Sequence, residues 1–236
     1  NEDSNDVSVL LNVGDGSFTP AVSYGAGVGP FAVAAGDVDD DDDLDVVVAN
    51  RFSNDISVLL NTGGGVLTLD GAYSAGSGVW HLALGDLNGD GDPDIVVTNW
   101  SDDDISVLLN TGGGVFGSDT QYDVVEKPRW VDVGDLNGDG ALDIAVANDV
   151  DALGDNISVL LNNGAGMFAA QTLHDAGHRP SSVAIGDLDL DGDNDLAVTN
   201  SPGDSVSILV NDGNAEFTTA VLHGVGVAPT SAIIED

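Results

Sequence analysis

Four stretches of this chain place oxygen-bearing side chains at positions one, three, five and nine of a tight loop. They are Asp37, Asp39, Asp41 and Asp45; Asp86, Asn88, Asp90 and Asp94; Asp135, Asn137, Asp139 and Asp143; and Asp187, Asp189, Asp191 and Asp195. That spacing suits a hard cation. Calcium takes six to eight oxygens at about 2.3–2.6 Å from carboxylates, amide and backbone carbonyls and water, whereas magnesium demands a near-ideal octahedron and keeps its waters. Position seven is Asp43, Asp92, Ala141 or Asp193. Ala141 offers only a backbone carbonyl, so that carbonyl is the expected ligand. Gly91, Gly140 and Gly192 at position six supply the left-handed turn that points the ligands inward. The first loop has Asp42 there, which predicts about 1 kcal/mol of strain and the weakest site. One Asp-rich turn would be a solvated surface turn. Four copies with one ligand spacing predict about four calcium sites of structural role, in which binding free energy is spent on folding.

The elements that position these loops repeat with them. The loops begin at Asp37, Asp86, Asp135 and Asp187, in steps of 49, 49 and 52 residues, and Asp236 begins a fifth. Ser8-Val9-Leu10-Leu11-Asn12 returns at Ser57–Asn61, Ser106–Asn110, Ser158–Asn162 and, varied, Ser207–Asn211, each followed by a glycine-rich turn and Phe18, Leu67, Phe116, Phe168 or Phe217. Within one unit, Leu82–Leu84, Ile95–Thr98, Ile105–Leu109 and Gln121–Val125 read as short strands bounded by Gly, Asn or Asp. No apolar period of 3.6 is sustained, so helices should be few. Four strands per unit predict an all-β fold, a β-propeller of four-stranded antiparallel blades with about five repeats. The expected units are 1–29 (partial), 30–78, 79–127, 128–179, 180–228 and 229–236 (partial) of a single repeat domain. Asp6 aligns with Asp55, so the first unit is joined part-way through. A five-bladed ring with one blade shared between the ends and a window on a longer propeller both fit.

Composition bounds the partners. Forty-one acidic residues face four Lys and Arg, for a net charge of −37 among 236 residues. Four divalent ions would offset only eight of those charges, so self-repulsion persists at low ionic strength. Nucleic acid, which needs a basic face, is an unexpected partner. The surface suits high salt or a calcium-rich exterior; copying of one Asp-rich unit is the plainer origin. There is no cysteine, so disulfides are excluded. No apolar stretch reaches the roughly 18–20 residues of a membrane span. Loops of this kind generally need the millimolar calcium found outside cells, and an extracellular, secreted or cell-surface setting is expected.

The Asp-x-Asp-x-Asp-Gly loop, the Asn-x-Gly-x-Gly-x-Phe turn at Asn110–Phe116 and the Asp-Ile-Val-Val strand resemble the FG-GAP and VCBS repeat family, blades found in integrin α-subunits and many secreted bacterial proteins. The resemblance covers essentially the whole chain. It implies calcium-stapled propeller blades, often in adhesion or ligand-recognition ectodomains and sometimes appended to secreted enzymes. Five units stand here against the seven usual for integrins.

The units differ most just before the loops. Pro30-Phe31-Ala32, Val79-Trp80-His81, Pro128-Arg129-Trp130, Pro180-Ser181-Ser182 and Pro229-Thr230-Ser231 are equivalent, preceded by Gly29, Gly78, Lys127, Arg179 and Ala228. Arg51 and Trp100 each follow the Asn that ends the second strand. In an antiparallel meander these positions share one face, opposite the metal loops. Arg51, Trp80, His81, Trp100, Arg129, Trp130, His178 and Arg179 are therefore the expected ligand-binding residues, with a glycan or an acidic peptide or protein as ligand. The competing reading is that the aromatics plug the central channel. Tyr24, Tyr73, Tyr122, His174 and His223 recur at one position, as strand-packing residues would. The expected function is an extracellular calcium-binding adhesion or ligand-recognition module without a catalytic centre, since no nucleophile motif stands apart from the metal loops. The alternatives are the propeller of a secreted polysaccharide-degrading enzyme, with His81, His178 or Arg129 active, and a structural spacer in a larger surface protein.

Overall fold

The computed structural model describes residues 1–150 and 156–234, so residues 151–155 and Asp236 lie outside the described residues. Each complete unit folds as one antiparallel sheet in chain order. The first sheet pairs β3 (Pro30–Gly36), β4 (Asp45–Asn50), β5 (Asp55–Asn61) and β6 (Leu67–Ser74). The second pairs β7 (Val79–Gly85), β8 (Asp94–Asn99), β9 (Asp104–Leu108) and β10 (Thr120–Asp123). The third pairs β11 (Pro128–Gly134), β12 (Asp143–Asn148), β13 (Ile157–Leu160) and β14 (Thr172–His174). The fourth pairs β15 (Pro180–Gly186), β16 (Asp195–Asn200), β17 (Ser205–Leu209) and β18 (Val221–Gly224). A two-stranded sheet of β1 (Asp6–Val9) and β2 (Val22–Gly25) precedes them. No helix occurs among the described residues. The innermost strands touch in sequence, β3 on β7, β7 on β11 and β11 on β15, which makes the sheets radial, propeller-like blades.

Alternation of side chains along a strand explains why the second strand of each unit is apolar throughout. Ile95 and Val97 of β8 pack with Val47, Ala49, Ile56 and Val58 of the preceding blade, while Val96 packs with Val131, Ile144 and Val146 of the following one. A blade held between two neighbours has no solvated face, so β8 and β12 are buried along their whole length, and β16 is buried likewise in a blade against which residues 229–234 also pack. Truncating one such residue, Ile95→Ala, removes contacts with both its own sheet and its neighbour and should cost about 2–5 kcal/mol.

Each innermost strand opens with a break in register against the second strand, between Pro30 and Ala32, Val79 and Leu82, Pro128 and Trp130, and Pro180 and Ser182. Such bulges re-aim side chains. Phe31, Trp80, His81 and Arg129 all fall in them, and the displaced His81 N–H donates to Thr98 Oγ1 at 3.0 Å instead of to the ladder. The residue just before each of these strands is left-handed, Gly29 and Gly78 at φ 71°, Lys127 at 57° and Arg179 at 54°, and so is the equivalent Ala228 at 53°. Its N–H donates to the side chain of a left-handed residue in the preceding blade, Asn5 for Gly29, Asn54 for Gly78, Asp103 for Lys127 and Asp204 for Ala228.

Candidate metal centres and recognition face

The acidic loops join the first and second strands of each blade, where Gly36 pairs with Asp45, Gly85 with Asp94, Gly134 with Asp143 and Gly186 with Asp195. Each loop folds around its own carboxylates. The position-one side chain accepts backbone N–H groups from inside the loop: Asp37 from Asp41 and Asp42, Asp86 from Gly89, Asp90 and Gly91, Asp135 from Gly138 and Gly140, Asp187 from Leu190 and Gly192. Position three accepts from the N–H of position five through Asn88, Asn137 and Asp189, so amide and carboxylate serve the same turn. Asp41, Asp90, Asp139 and Asp191 at position five accept the N–H of position seven. Asp42 is left-handed at φ 68°, as its place opposite the glycines requires. Position four is left-handed too, and there Asp40 at 62° and Leu190 at 65° stand where Gly89 and Gly138 stand elsewhere. Strain therefore falls on the first and fourth loops rather than on the first alone.

Among the described residues, two triads of aspartates could hold a metal ion. Asp37, Asp39 and Asp45 each bring a carboxylate oxygen within 4.8 Å of the others, and so do Asp187, Asp189 and Asp195. The residues fit a hard cation. Asp39 Oδ1 is buried with no hydrogen-bond donor, and burial together with the charges of Asp45, Asp41 and Asp37 raises the Asp39 pKa. A divalent ion would supply the positive charge this cluster lacks. The ninth-position carboxylates are fully buried. Burial pushes Asp94 up to about 6 and raises Asp143, against the hydrogen bonds each receives.

Those hydrogen bonds reveal a role beyond ligation. Oδ2 of Asp45, Asp94, Asp143 and Asp195 accepts the N–H of Val38, Leu87, Leu136 and Leu188 at 2.9–3.0 Å. Oδ1 accepts the N–H of Asn61, Asn110, Asn162 and Asn211, the residue that closes the Ser-Val-Leu-Leu-Asn motif. The Asn side chain of the second, third and fourth blades then reaches back to the preceding blade. Asn110 Nδ2 donates to Val38 O at 2.8 Å, Asn162 to Leu87 O at 2.7 Å and Asn211 to Leu136 O at 2.7 Å. Each also donates to the position-eight carbonyl of its own loop, Pro93, Leu142 or Asn194. In the second, third and fourth blades one asparagine thus ties two adjacent acidic loops together, while Asn61 of the first donates to Leu44 O of its own loop. Its recurrence at the motif's end was visible in sequence; its cross-blade partner was not.

The opposite ends of the first and second strands carry the variable residues, where Pro30 pairs with Asn50, Val79 with Asn99, Pro128 with Asn148 and Pro180 with Asn200. Trp80 stacks on Trp100 with ring centroids 4.8 Å apart and leans on Phe31 at 4.5 Å. The Arg51 guanidinium lies 4.3 Å from the Trp80 ring centroid. His81 stacks on Trp130 at 3.7 Å. Phe31, Trp80, His81 and Trp130 line a cavity of about 250 Å³. His81 and Trp130 also line a larger one of about 370 Å³ between the innermost strands, with Asp132. Burial holds His81 down to about 4 and raises Asp132, whose two oxygens accept the N–H groups of Val133 and Ile185.

Arg129 and Arg179 do not join that cluster. Both bind Asp149, a residue the sequence reading passed over: Arg129 Nη1 lies 3.2 Å from Oδ2 and Arg179 Nε 2.7 Å from Oδ1, with Asp149 only 4% exposed. Asp149 follows Asn148 just as Arg51 follows Asn50 and Trp100 follows Asn99, so that position was the available signal. His178 is half-buried beside Arg179 and lines neither cavity. The recurrent ring residues pack between blades, Tyr73 on Phe116, Tyr122 on Phe168 and His174 on Phe217, edge to face.

Radial four-stranded sheets with an acidic loop at one end define an all-β, propeller-like repeat protein. The chain belongs to the FG-GAP-like repeat family: the FG-GAP-like repeat matches residues 1–48, 37–97, 86–146 and 135–198, and the FG-GAP repeat matches residues 179–220. No curated protein sequence matches it significantly. Among solved structures it is similar to an Agrocybe aegerita lectin described for specific recognition of non-reducing terminal N-acetylglucosamine, at 25% identity and TM-score 0.60 over 91% of this chain and 59% of the lectin. It is also similar to the Vibrio cholerae biofilm matrix protein Bap1, at 20% identity and TM-score 0.57 over 96% of this chain and 40% of Bap1. A third similar structure is a catalytically inactive virginiamycin B lyase from Staphylococcus aureus with quinupristin, at 17% identity and TM-score 0.52 over 90% of this chain and 59% of that one. The chain therefore spans less than two thirds of each. Bap1 and the lyase share its fold only.

Proposed function

We propose that this chain is an extracellular recognition module, stapled by calcium at about four loops, which takes a glycan on the face opposite the metal without turning it over. The observation that carries the reading is the separation of the two ends of each blade. Carboxylates that fit cations gather at one end, while the stacked Phe31, Trp80 and Trp100 and the His81–Trp130 pair gather at the other. Flat rings on a fixed frame offer apolar area at low entropic cost, which favours sugar and peptide recognition alike. The lectin's recognition of N-acetylglucosamine supports the sugar. Asp132 is the strongest candidate for an acid catalyst, but both its oxygens accept backbone N–H groups of its own and the next blade, which suits a strand-to-strand tie.

Calcium's role in this reading is mechanical. Position-one and position-nine carboxylates already organise the loop through backbone N–H groups, and the ion would offset the repulsion among them. A calorimetric calcium titration after chelation should give about four sites and a raised melting temperature, and a glycan array read in calcium should show saturable binding lost in Trp80→Ala. A protein indifferent to calcium would overturn the staple; a silent array would overturn glycan recognition.

A further inference from the structure

Resting on that recognition reading, we propose that the cavity bounded by Phe31, Val33, Trp80, His81 and Trp130 binds one uncharged sugar ring. Its volume of about 250 Å³ corresponds to about eight waters at about 30 Å³ each, room for a single ring rather than a chain. The walls are aromatic on two sides, which suits the C–H face of a pyranose. The directed polar group is His81. Its Nδ1 faces the Val131 N–H at 3.5 Å, which assigns the ring proton to Nε2 and makes that nitrogen a donor. A pKa lowered to about 4 by burial keeps the ring neutral at physiological pH. A neutral donor stacked on Trp130 in the cavity wall matches a hydroxyl or carbonyl oxygen of a sugar.

Charge argues against an acidic ligand here. The chain carries −37 against four Lys and Arg. Of the arginines, two are held on Asp149 and Arg51 lies over the rings of Trp80 and Phe31, 4.3 and 5.5 Å from their centroids; no Lys or Arg itself lines the cavity. An anion would enter a field dominated by its own sign with no cation in the lining to meet it, whereas a neutral polyol meets no such barrier.

All three tryptophans stand on this face, so intrinsic fluorescence reads the site directly. The calcium-loaded protein is titrated with the methyl glycosides of glucose, galactose, mannose and N-acetylglucosamine, and with glucuronic acid. At least one neutral glycoside should saturate the signal and glucuronic acid should not. His81→Phe keeps the stack on Trp130 but removes the donor, and should weaken binding about fivefold, within the range for one neutral hydrogen bond. Val33 is 63% exposed, so Val33→Tyr can fill the cavity without disturbing the core and should abolish binding even if His81→Phe fails to fold. Glucuronic acid binding at least as well as the neutral glycosides, or Val33→Tyr binding normally, overturns the assignment. Silence of every monosaccharide while the glycan array stays positive overturns this cavity but leaves the recognition reading standing; silence of both removes the two together.

Discussion

Replacing Asn162 by alanine removes three side-chain hydrogen bonds at once: Nδ2 to Leu87 O at 2.7 Å, Nδ2 to Leu142 O at 2.9 Å, and the Gly164 N–H to Oδ1 at 3.0 Å. The backbone link from Asn162 N to Asp143 Oδ1 survives the change. At about 1 kcal/mol for each neutral bond the loss is about 3 kcal/mol, and the 5% exposure of Asn162 leaves its two acceptor carbonyls little access to water. For a domain of this size 1 kcal/mol moves the melting temperature by about 2–4 °C, so Asn162→Ala should lower it by roughly 6–12 °C in scanning calorimetry at saturating calcium. Asn12 is the internal control. It occupies the equivalent position in the two-stranded sheet, is exposed, and its side chain accepts a single bond from Gly14 N, so Asn12→Ala should change stability by no more than about 0.5 kcal/mol. Asn162→Asp should be at least as damaging as Asn162→Ala, because a carboxylate oxygen would then face the two carbonyls. Equal shifts for Asn12→Ala and Asn162→Ala, or a fall of under about 1 °C for Asn162→Ala, would refute the cross-blade tie.

Other outcomes follow from the same geometry. Asp39→Asn removes a charge that sits among Asp45, Asp41 and Asp37, so it should raise the melting temperature in chelator and shrink the rise that calcium produces; a variant less stable in chelator would contradict the repulsion. Asp149→Ala leaves Arg129 and Arg179 facing each other without their shared carboxylate, and should cost about 1.5–3 kcal/mol as charged hydrogen bonds are lost, read by denaturant unfolding. His81 has a folded pKa of about 4, below its ordinary 6.5, so the unfolded chain takes up the proton first. Its contribution to stability is complete above pH 6.5 and drains away as pH falls towards 4, by up to about 3 kcal/mol. In His81→Phe the fall in melting temperature between those pH values should flatten; an unchanged slope would remove His81 from the account.

The agreement between sequence and structure is closest where interactions are local. The strand reading Leu82–Leu84, Ile95–Thr98, Ile105–Leu109 and Gln121–Val125 falls on β7 to β10, because short Val- and Ile-rich runs between Gly, Asn and Asp have few other ways to fold. The acidic loop was legible because its carboxylates and all but one of the N–H groups they accept lie within nine consecutive residues, the exception being the closing Asn. The left-handed fourth position escaped notice, since Gly89 and Gly138 suggested it but Asp40 and Leu190 concealed it. The residue types of Arg129 and Arg179 suit a ligand, and nothing in the chain's local pattern shows that both meet Asp149.

The sequence by itself determined the blade: its strands, its acidic turn and the oxygen donors that could hold a cation follow from residue types at short, repeated separations, where propensity and chain geometry leave little choice. Only the tertiary structure decided what joins one blade to the next. Asn162 meets Leu87 across 75 residues and His81 stacks on Trp130, and such partners are chosen by how twisted sheets pack about a common centre. Side chains that far apart carry no mutual signature in the chain, because their contact depends on the angle between blades rather than on any local preference.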